Sequence, residues 1–249
     1  MVICISPHPD DAALSCGGLL AREAAHGRPA LVVTVCAGDP PPPEELTPFA
    51  RALHRTWGDA PNPMAQRREE DARAAAALGC AGQVWDYRDA IYRHPAYDSE
   101  AAIFGPPADE APLERELRGR CAALPAGLLL FPLAVGRHVD HQLLFRVGWQ
   151  LHAAGRPVAF YEDVPYAAWE GSPAPRLAEV GRPLWPQRVD VTPFWPDKAA
   201  AIACYRSQFA ALTRHGVPLL EAVGRYAAGL AAAGYVERVW SPLQEPRWS

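Results

Sequence analysis

The chain has 249 residues, 49% of them hydrophobic and 21% charged, a composition that is typical of a soluble globular protein. Its formal net charge of −4 at pH 7 predicts no nucleic-acid partner, because a basic surface is missing. No apolar stretch approaches the roughly 18 residues that a membrane span requires, and no signal peptide precedes the first apolar run, so we expect a cytoplasmic protein without a membrane span.

Short apolar runs alternate with helical patterns along the chain, which is typical of a series of βαβ units. The predicted strands are residues 2–6, 31–36, 83–87, 128–131 and 158–161, with an edge strand at 188–191 and a last strand at 235–240. The predicted helices are residues 11–26, 64–78, 113–123, 141–154, 197–213 and 217–233, and the proline-rich segments 40–43, 61–63, 106–112 and 173–196 are predicted to be loops. Because such units connect by right-handed crossovers, we expect an α/β fold, Rossmann-like, with a mainly parallel sheet flanked by helices in a single domain of residues 1–249.

A histidine and two aspartates follow the first predicted strand. His8, Asp10 and Asp11 lie on the turn that leaves this strand, where open α/β sheets bind their ligands. Because His8 and Asp11 are three residues apart on a tight turn, both side chains can face one point while Asp10 points elsewhere. Two simpler interpretations stay open: Asp11 caps the following helix, and Asp10 is a solvated turn residue.

A second group of histidine and aspartate residues follows the fourth predicted strand. It contains His138, Asp140 and His141, and its histidines repeat the three-residue spacing, which places both imidazoles on one side of a strand-to-helix junction. Taken alone, a residue such as His141 is more often an ordinary member of a first helical turn. Hydrolysis with a single metal ion needs three protein ligands, an open position for water, a carboxylate that takes a proton and a donor for the oxyanion. The two groups together supply all of these, so we predict a metal-dependent hydrolase.

Together, the clusters at 8–11 and 138–141 resemble the paired motif of the LmbE/PIG-L family of zinc-dependent N-acetylglucosaminyl deacetylases. The resemblance covers about the first 165 residues of the chain. It implies a Zn²⁺ site whose ligands are His8, Asp11 and His141. Because two histidines and one carboxylate also suit Fe²⁺, the choice of zinc comes from the family and not from the ligand types.

The same resemblance implies catalytic roles and two substrate contacts. Asp10 is implied to be the general base, His138 to stabilise the oxyanion or protonate the leaving amine, and Asp140 to orient a neighbouring histidine. Arg67 is implied to bind hydroxyl or phosphate oxygens of the substrate, and Asp89 to contact its sugar. These five residues, with the three ligands, complete the predicted active site.

Simpler interpretations of the two substrate contacts stay open. Arg67 can instead be an exposed helix residue paired with Glu70 or Asp71. Asp89 can belong to an ordinary turn. His94, in a nearby loop, is not expected to be a ligand.

The chain departs from the family motif at three positions. Ala12 replaces the usual Glu after the first cluster, Val139 replaces the usual Pro in the second, and Gly136 stands where some relatives carry a tyrosine that polarises the substrate carbonyl. These departures weaken the inference about the substrate but not the inference about the metal centre. An acidic pair after the fifth predicted strand, Glu162 and Asp163, either lines the pocket or forms an ordinary turn.

We therefore expect zinc-dependent removal of an N-acetyl or other N-acyl group from an N-acetylglucosamine-type amino-sugar conjugate, a small-molecule partner. The alternatives are a metal-dependent amidase or esterase acting on a non-sugar or thiol-conjugate substrate, and a catalytically silent carbohydrate-binding relative. Asp10 argues against a silent protein, because binding alone needs no base. A homo-oligomer is compatible with each of these functions. The segment 15–18 lacks the lysine and the spacing of a phosphate-binding loop, so we expect its two glycines to allow close helix packing.

Overall fold

Seven strands form one mixed sheet within residues 1–93 and 95–244, which are the residues that the computed structural model describes. They are β1 (Val2–Ser6), β2 (Ala30–Thr34), β3 (Ala81–Val84), β4 (Leu128–Pro132), β5 (Val158–Tyr161), β6 (Trp185–Asp190) and β7 (Val236–Ser241). Their spatial order is β3-β2-β1-β4-β5-β7-β6. The first five strands pair in parallel, and β7 is antiparallel to both β5 and β6. His94 and the domain end predicted at 249 lie outside the described residues.

Helices cover both faces of this sheet. They are α1 (Asp11–Ala25), α2 (Pro48–Thr56), α3 (Pro63–Ala77), α4 (Ala90–Arg93), α5 (Glu100–Ile103), α6 (Ala111–Ala122), α7 (Val139–Ala153), α8 (Tyr166–Glu170), α9 (Ala174–Val180), α10 (Trp195–Ile202), α11 (Phe209–Leu212) and α12 (Leu219–Gly229). The predicted α/β fold, a single domain with a mainly parallel sheet flanked by helices, is confirmed. Within the described part of the chain, no helix combines the length and the apolar character that crossing a bilayer needs.

The central strands are apolar on both faces because both faces are covered by helices. Ile3 of β1 and Phe131 of β4 pack in one buried cluster with residues of α6 and α7. Cys4 and Leu130, which point to the opposite face because strand residues alternate, pack with residues of α1, α3 and α10. From β1 the chain continues outward to β2 and then β3 on one side, and from β4 it continues to β5 on the other side. The sheet therefore has a topological switch point between β1 and β4, where open α/β sheets bind ligands.

The third strand is displaced from its predicted position. β3 ends at Val84, so the predicted strand 83–87 is wrong in its second half. Trp85 is buried in the core, with the guanidinium of Arg120 4.2 Å from its ring centre. The apolar residues that suggested a strand there mark the point where the chain leaves the edge of the sheet.

Several helices lie where the sequence predicted none. α2 lies between two proline-rich segments, and α9 lies inside the segment 173–196. Proline is well tolerated in the first helical turn, where its missing N–H has no intrahelical partner, and both helices begin with one there. The predicted helix 197–213 is also wrong as a single element, because a 3₁₀ turn at Arg206–Gln208 separates α10 from α11.

The middle of α1 packs closely against the last part of the chain. A Cβ atom at Gly18 would lie 2.6 Å from Cβ of Val191, so the prediction of close helix packing at this glycine pair is confirmed. Glu237 of β7 accepts hydrogen bonds from the backbone N–H groups of Gly18 and Leu19, at 2.8 and 2.7 Å. The same carboxylate accepts from the buried ammonium of Lys198 at 2.6 Å. Glu237 therefore fixes α1 at its centre, and the helix begins at the first motif.

Candidate active site

The two histidine-containing motifs meet in a cavity of about 280 Å³ beyond the carboxyl ends of β1 and β4. Six of the eight predicted site residues line this cavity, namely His8, Asp10, Asp11, Arg67, Asp89 and His138. Asp140 and His141 lie directly behind its wall and are fully buried. The structure therefore brings all of the predicted site residues into one region.

The first motif is held in a tight turn by its own hydrogen bonds. The buried hydroxyl of Ser6 donates to the carbonyl of His8 at 2.8 Å and accepts from the N–H of Ala12 at 3.0 Å. Asp10 has a φ of 118°, a backbone conformation that residues other than glycine rarely adopt. Such strained residues are concentrated at functional sites. Because Asp10 precedes α1 without capping it through its side chain, its carboxylate is available to the cavity.

Asp11 joins the two motifs. Its Oδ2 atom lies 3.4 Å from Nδ1 of His8 and 3.3 Å from Nε2 of His141. Nε2 of His141 is buried and makes no hydrogen bond, which is rare for a buried polar atom. Ligand atoms about 2.0–2.2 Å from a tetrahedral ion lie about 3.3–3.6 Å from each other. The two distances that join Asp11 to His8 and His141 therefore match the spacing of metal ligands, and the three side chains are of the types that bind Zn²⁺.

The other ring nitrogens of these histidines are bound to carboxylates. Nε2 of His8 donates to Oδ2 of Asp140 at 2.9 Å, and Nδ1 of His141 donates to Oδ1 of Asp163 at 2.5 Å. Histidines that bind metals usually have such a carboxylate partner, which fixes the tautomer and the ring orientation. Asp140 thus lies beside a histidine, as the sequence predicted. That Asp163 would support His141 was not predicted, although its position directly after β5 was a signal.

Other buried donors lie close to this set. Ligand atoms of His8, His138 and His141 lie within 4.8 Å of one another, as do those of His8, Asp89, His138 and Asp140. Oδ1 of Asp140 lies 2.6 Å from the guanidinium of Arg93 without a hydrogen bond of good geometry, and Oδ2 accepts from His8 and from the N–H of Ala90. The cluster is thus suited to a divalent metal ion.

The electrostatics of the cluster favour positive charge. Burial opposes a charge on His141, but the carboxylates of Asp11 and Asp163 raise its pKa to about 9. Burial likewise opposes ionisation of Asp11, but the imidazoles of His141 and His8 hold the pKa of its carboxyl well below its usual range. A divalent cation can take the place of the protons on the histidines, because the same carboxylates attract either positive charge.

Asp10 and His138 have different electrostatic surroundings. Burial raises the pKa of the Asp10 carboxyl to about 7, against the opposing effect of the Arg67 guanidinium. A carboxylate with a pKa near neutrality is well suited to general base catalysis. Burial and the neighbouring His8 lower the pKa of His138 well below its ordinary value, so this ring is neutral at pH 7. Its Nδ1 accepts from the N–H of Asp140 at 3.3 Å, and the proton of the neutral ring is therefore on Nε2.

Arg67 is buried, so its interpretation as an exposed residue is wrong. It donates to the carbonyl of Pro9 at 3.0 Å and lies 3.5 Å from Oδ2 of Asp10. Its guanidinium also stacks 4.8 Å from the ring centre of Trp57. Of the two suggested partners, Glu70 accepts from Ser207 and Asp71 accepts from Thr34 and Tyr205 instead. The structure places Arg67 directly behind the first motif.

Asp89 combines both of the interpretations that the sequence left open. Oδ1 accepts from the N–H of Ile91 at 3.2 Å, as in an ordinary turn. Oδ2 lies 3.6 Å from Nε2 of His8 at the cavity wall. Turn chemistry therefore orients Asp89, and one carboxylate oxygen remains directed to the site.

Replacing Asp163 with Asn is expected to weaken divalent-metal binding about 10- to 100-fold, because the charged partner of the His141 ring is lost. Competition with a fluorescent chelator measures the affinity. The same substitution at Asp86, whose side chain is 95% exposed, serves as the control. An unchanged affinity in the Asp163 variant would show that this carboxylate does not support a ligand.

Comparison with known proteins agrees with this geometry. Residues 3–152 match the family described as PIG-L: GlcNAc-PI de-N-acetylase. The chain is 32% identical, over 261 aligned positions, to a 2'-N-acetylparomamine deacetylase from Streptomyces fradiae, with 96% of this chain and 89% of the relative covered.

Solved structures of deacetylases share the fold over nearly the whole chain. A crystal structure of the zinc-inhibited form of the teicoplanin deacetylase Orf2 superposes with a TM-score of 0.80 at 27% identity, with 96% of each chain covered. A crystal structure of a deacetylase–teicoplanin complex superposes with a TM-score of 0.80 at 28% identity, with 96% and 97% covered. The chain therefore belongs to the PIG-L (LmbE-like) family and is a deacetylase, a hydrolase of amide bonds.

Proposed function

We propose that this deacetylase removes the acetyl group from an amino nitrogen of an amino-sugar conjugate, using Zn²⁺ bound by His8, Asp11 and His141. The observation that carries the proposal is the contact of Asp11 Oδ2 with a ring nitrogen of each histidine, beside the buried carboxylate of Asp10. Relatives named for 2'-N-acetylparomamine and teicoplanin support an amino-sugar substrate.

The donor set supports a metal that accepts nitrogen and oxygen ligands. Zn²⁺ is commonly bound by two histidines and a carboxylate with one position left open, and a solved neighbour is described as zinc-inhibited. Fe²⁺ accepts the same three donor types, so elemental analysis of the purified protein decides between them. When bound, such an ion polarises the amide carbonyl and lowers the pKa of water.

The residues around this position perform the proton transfers. Asp10 takes a proton from water as the water oxygen adds to the amide carbonyl carbon. The C–N bond then breaks, the nitrogen takes up a proton, and the products are acetate and the free amine. His138 lines the cavity and carries its proton on Nε2, so it donates a hydrogen bond to the carbonyl oxygen, and the proton that Asp10 took from water passes to the amine nitrogen. Arg67 holds Asp10 and the carbonyl of Pro9 in place.

The cavity wall supports recognition of a polar ring. Asp89 offers a carboxylate oxygen that can accept a hydrogen bond from a sugar hydroxyl. The rings of Trp57, Phe104 and Trp169 also line the cavity, and aromatic faces of this kind pack well against the apolar faces of sugars. A cytoplasmic location and a homo-oligomeric state are not tested by these observations and stay predictions.

An amide-cleavage screen tests the proposed function. Zinc-loaded protein is incubated with 2'-N-acetylparomamine, N-acetylglucosaminides, simple N-acetyl amides, acetyl esters and N-acylated thiol conjugates, and the released acetate and amine are quantified. We expect release from the acetylated amino sugars. Cleavage confined to the simple amides, esters or thiol conjugates would support the alternative hydrolases, and absence of any cleavage by the metal-loaded protein would support a silent relative.

A further inference from the structure

Tyr166 begins α8, three residues after Asp163, whose carboxylate accepts a hydrogen bond from His141. The segment before it is fixed at two points. Oδ2 of Asp163 accepts from the N–H of Val135 at 3.0 Å, and the N–H of Val164 donates to the hydroxyl of Ser15 at 3.1 Å. Tyr166 is therefore carried by a segment that is tied to the loop between β4 and the second motif, and to α1.

The ring of Tyr166 occupies space that Gly136 leaves free. A Cβ atom at Gly136 would lie 2.4 Å from Cγ and 2.5 Å from Cδ1 of this ring, distances that no side chain can adopt without displacing it. The ring is also packed edge-to-face against His141, at 5.8 Å between centroids, and against Phe104 at 5.7 Å. These contacts hold the ring at the cavity wall.

The hydroxyl of Tyr166 differs from those of the other enclosed tyrosines. Tyr161 donates to the carbonyl of Ile5, Tyr205 donates to Asp71, and Tyr226 donates to Glu162. The Tyr166 hydroxyl has no hydrogen-bond partner within residues 1–93 and 95–244. Tyr166 is half-buried and its hydroxyl oxygen is not among the fully buried polar atoms that lack a partner, so this hydroxyl is accessible at the cavity wall and free to bind a substrate group.

We propose that Tyr166 is a catalytic residue whose hydroxyl donates a hydrogen bond to the carbonyl oxygen of the scissile amide, where negative charge develops as water adds. The inference rests on the proposed hydrolysis and assigns a second donor beside His138. The carbonyl oxygen gains the electron pair of the C=O π bond, and Tyr166 keeps its proton. A donor that is already positioned and unpaired stabilises this charge without reorganisation. Gly136 serves the same step indirectly, because it makes room for the ring.

Replacing Tyr166 with Phe removes only the hydroxyl and tests the proposal. We expect kcat to fall about 100- to 1,000-fold, as on loss of one oxyanion donor, with KM and zinc content within about threefold of the wild-type values. The control is Tyr226→Phe, which removes a hydroxyl bonded to Glu162 outside the cavity and should leave kcat unchanged. A kcat for the Tyr166→Phe variant within about threefold of wild type would overturn the proposal.

Gly136→Ala tests the steric part of the argument in a double-mutant cycle. We expect it to lower kcat in the wild-type background by displacing the ring, and to have little further effect in the Tyr166→Phe background, because the two changes remove the same interaction. Fully additive losses would show that Gly136 acts independently of Tyr166, and would contradict the steric part.

Binding of a phosphonate analogue of the tetrahedral intermediate separates this inference from the proposed function. Such an analogue should bind Tyr166→Phe more weakly than wild type by about the same factor as the loss in kcat. This measurement needs no turnover, so it tests Tyr166 even if none of the screened amides is cleaved. Equal binding to both proteins would refute the role of the hydroxyl, whereas failure of the wild type in the screen would refute the substrate class alone.

Discussion

Replacing Asp10 with Asn is expected to lower kcat about 100- to 10,000-fold while the metal content stays unchanged. The amide has the size of the carboxylate but cannot take a proton from water. Because Asp10 lies next to Asp11 without sharing its contacts with the two histidines, the donor set remains intact. Steady-state kinetics with the best amide of the screen and elemental analysis of the same preparation measure both quantities.

The control for Asp10→Asn is Asp86→Asn, which makes the same chemical change at an exposed position. The control should retain wild-type kinetics. Near-wild-type kcat in the Asp10 variant would remove Asp10 as the base. A large loss of metal in that variant would instead show that Asp10 belongs to the ligand set.

Replacing His141 with Ala is expected to weaken metal binding more than about 100-fold, beyond the effect of losing a supporting carboxylate. The substitution removes Nε2, which faces Asp11, and leaves the metal with two protein ligands. Activity at a fixed, low metal concentration should fall with the metal content. Isothermal titration calorimetry with Zn²⁺ measures the affinity, and elemental analysis after dialysis measures the metal content.

His152→Ala is the matched control, because His152 lies on the same helix α7 but outside the cavity. Loss of His141 also leaves Asp163 without its ring partner, which costs about 1–3 kcal/mol of stability. Circular dichroism must therefore show that the variant is folded. Unchanged zinc content in a folded His141→Ala protein would mean that the ligand set is misassigned.

The fold was predictable wherever periodicity and chain order carry the information. The five parallel strands alternate with helices along the chain, so their parallel direction follows from crossover connections, whereas their order in the sheet was not predicted. The displacement of β3 was not predictable, because its residues, Ala81–Val84, are small or polar. The large apolar residues lie just beyond it, where Trp85 enters the core. At this edge of the sheet, the residues that form the strand are therefore not the ones that are most buried.

The site was predictable as far as its residues lie close together along the chain. The spacing of His8 and Asp11 within a single turn follows from the sequence. The role of Asp163 depends on β5 lying beside β4, which brings it to His141 from a distant part of the chain. The position of Tyr166 depends on the absence of a side chain at Gly136. Contacts of this kind are determined by packing in three dimensions and leave no local pattern.

The anchoring of α1 by Glu237 has a consequence for any attempt to shorten the protein. Both histidine motifs lie within the family match at 3–152, so a fragment ending near there retains every proposed ligand. It loses the Glu237 carboxylate that binds the backbone of α1, and it loses β5, which exposes the edge of β4. We expect truncated versions to aggregate on expression, so the smallest autonomous catalytic unit extends at least through β7.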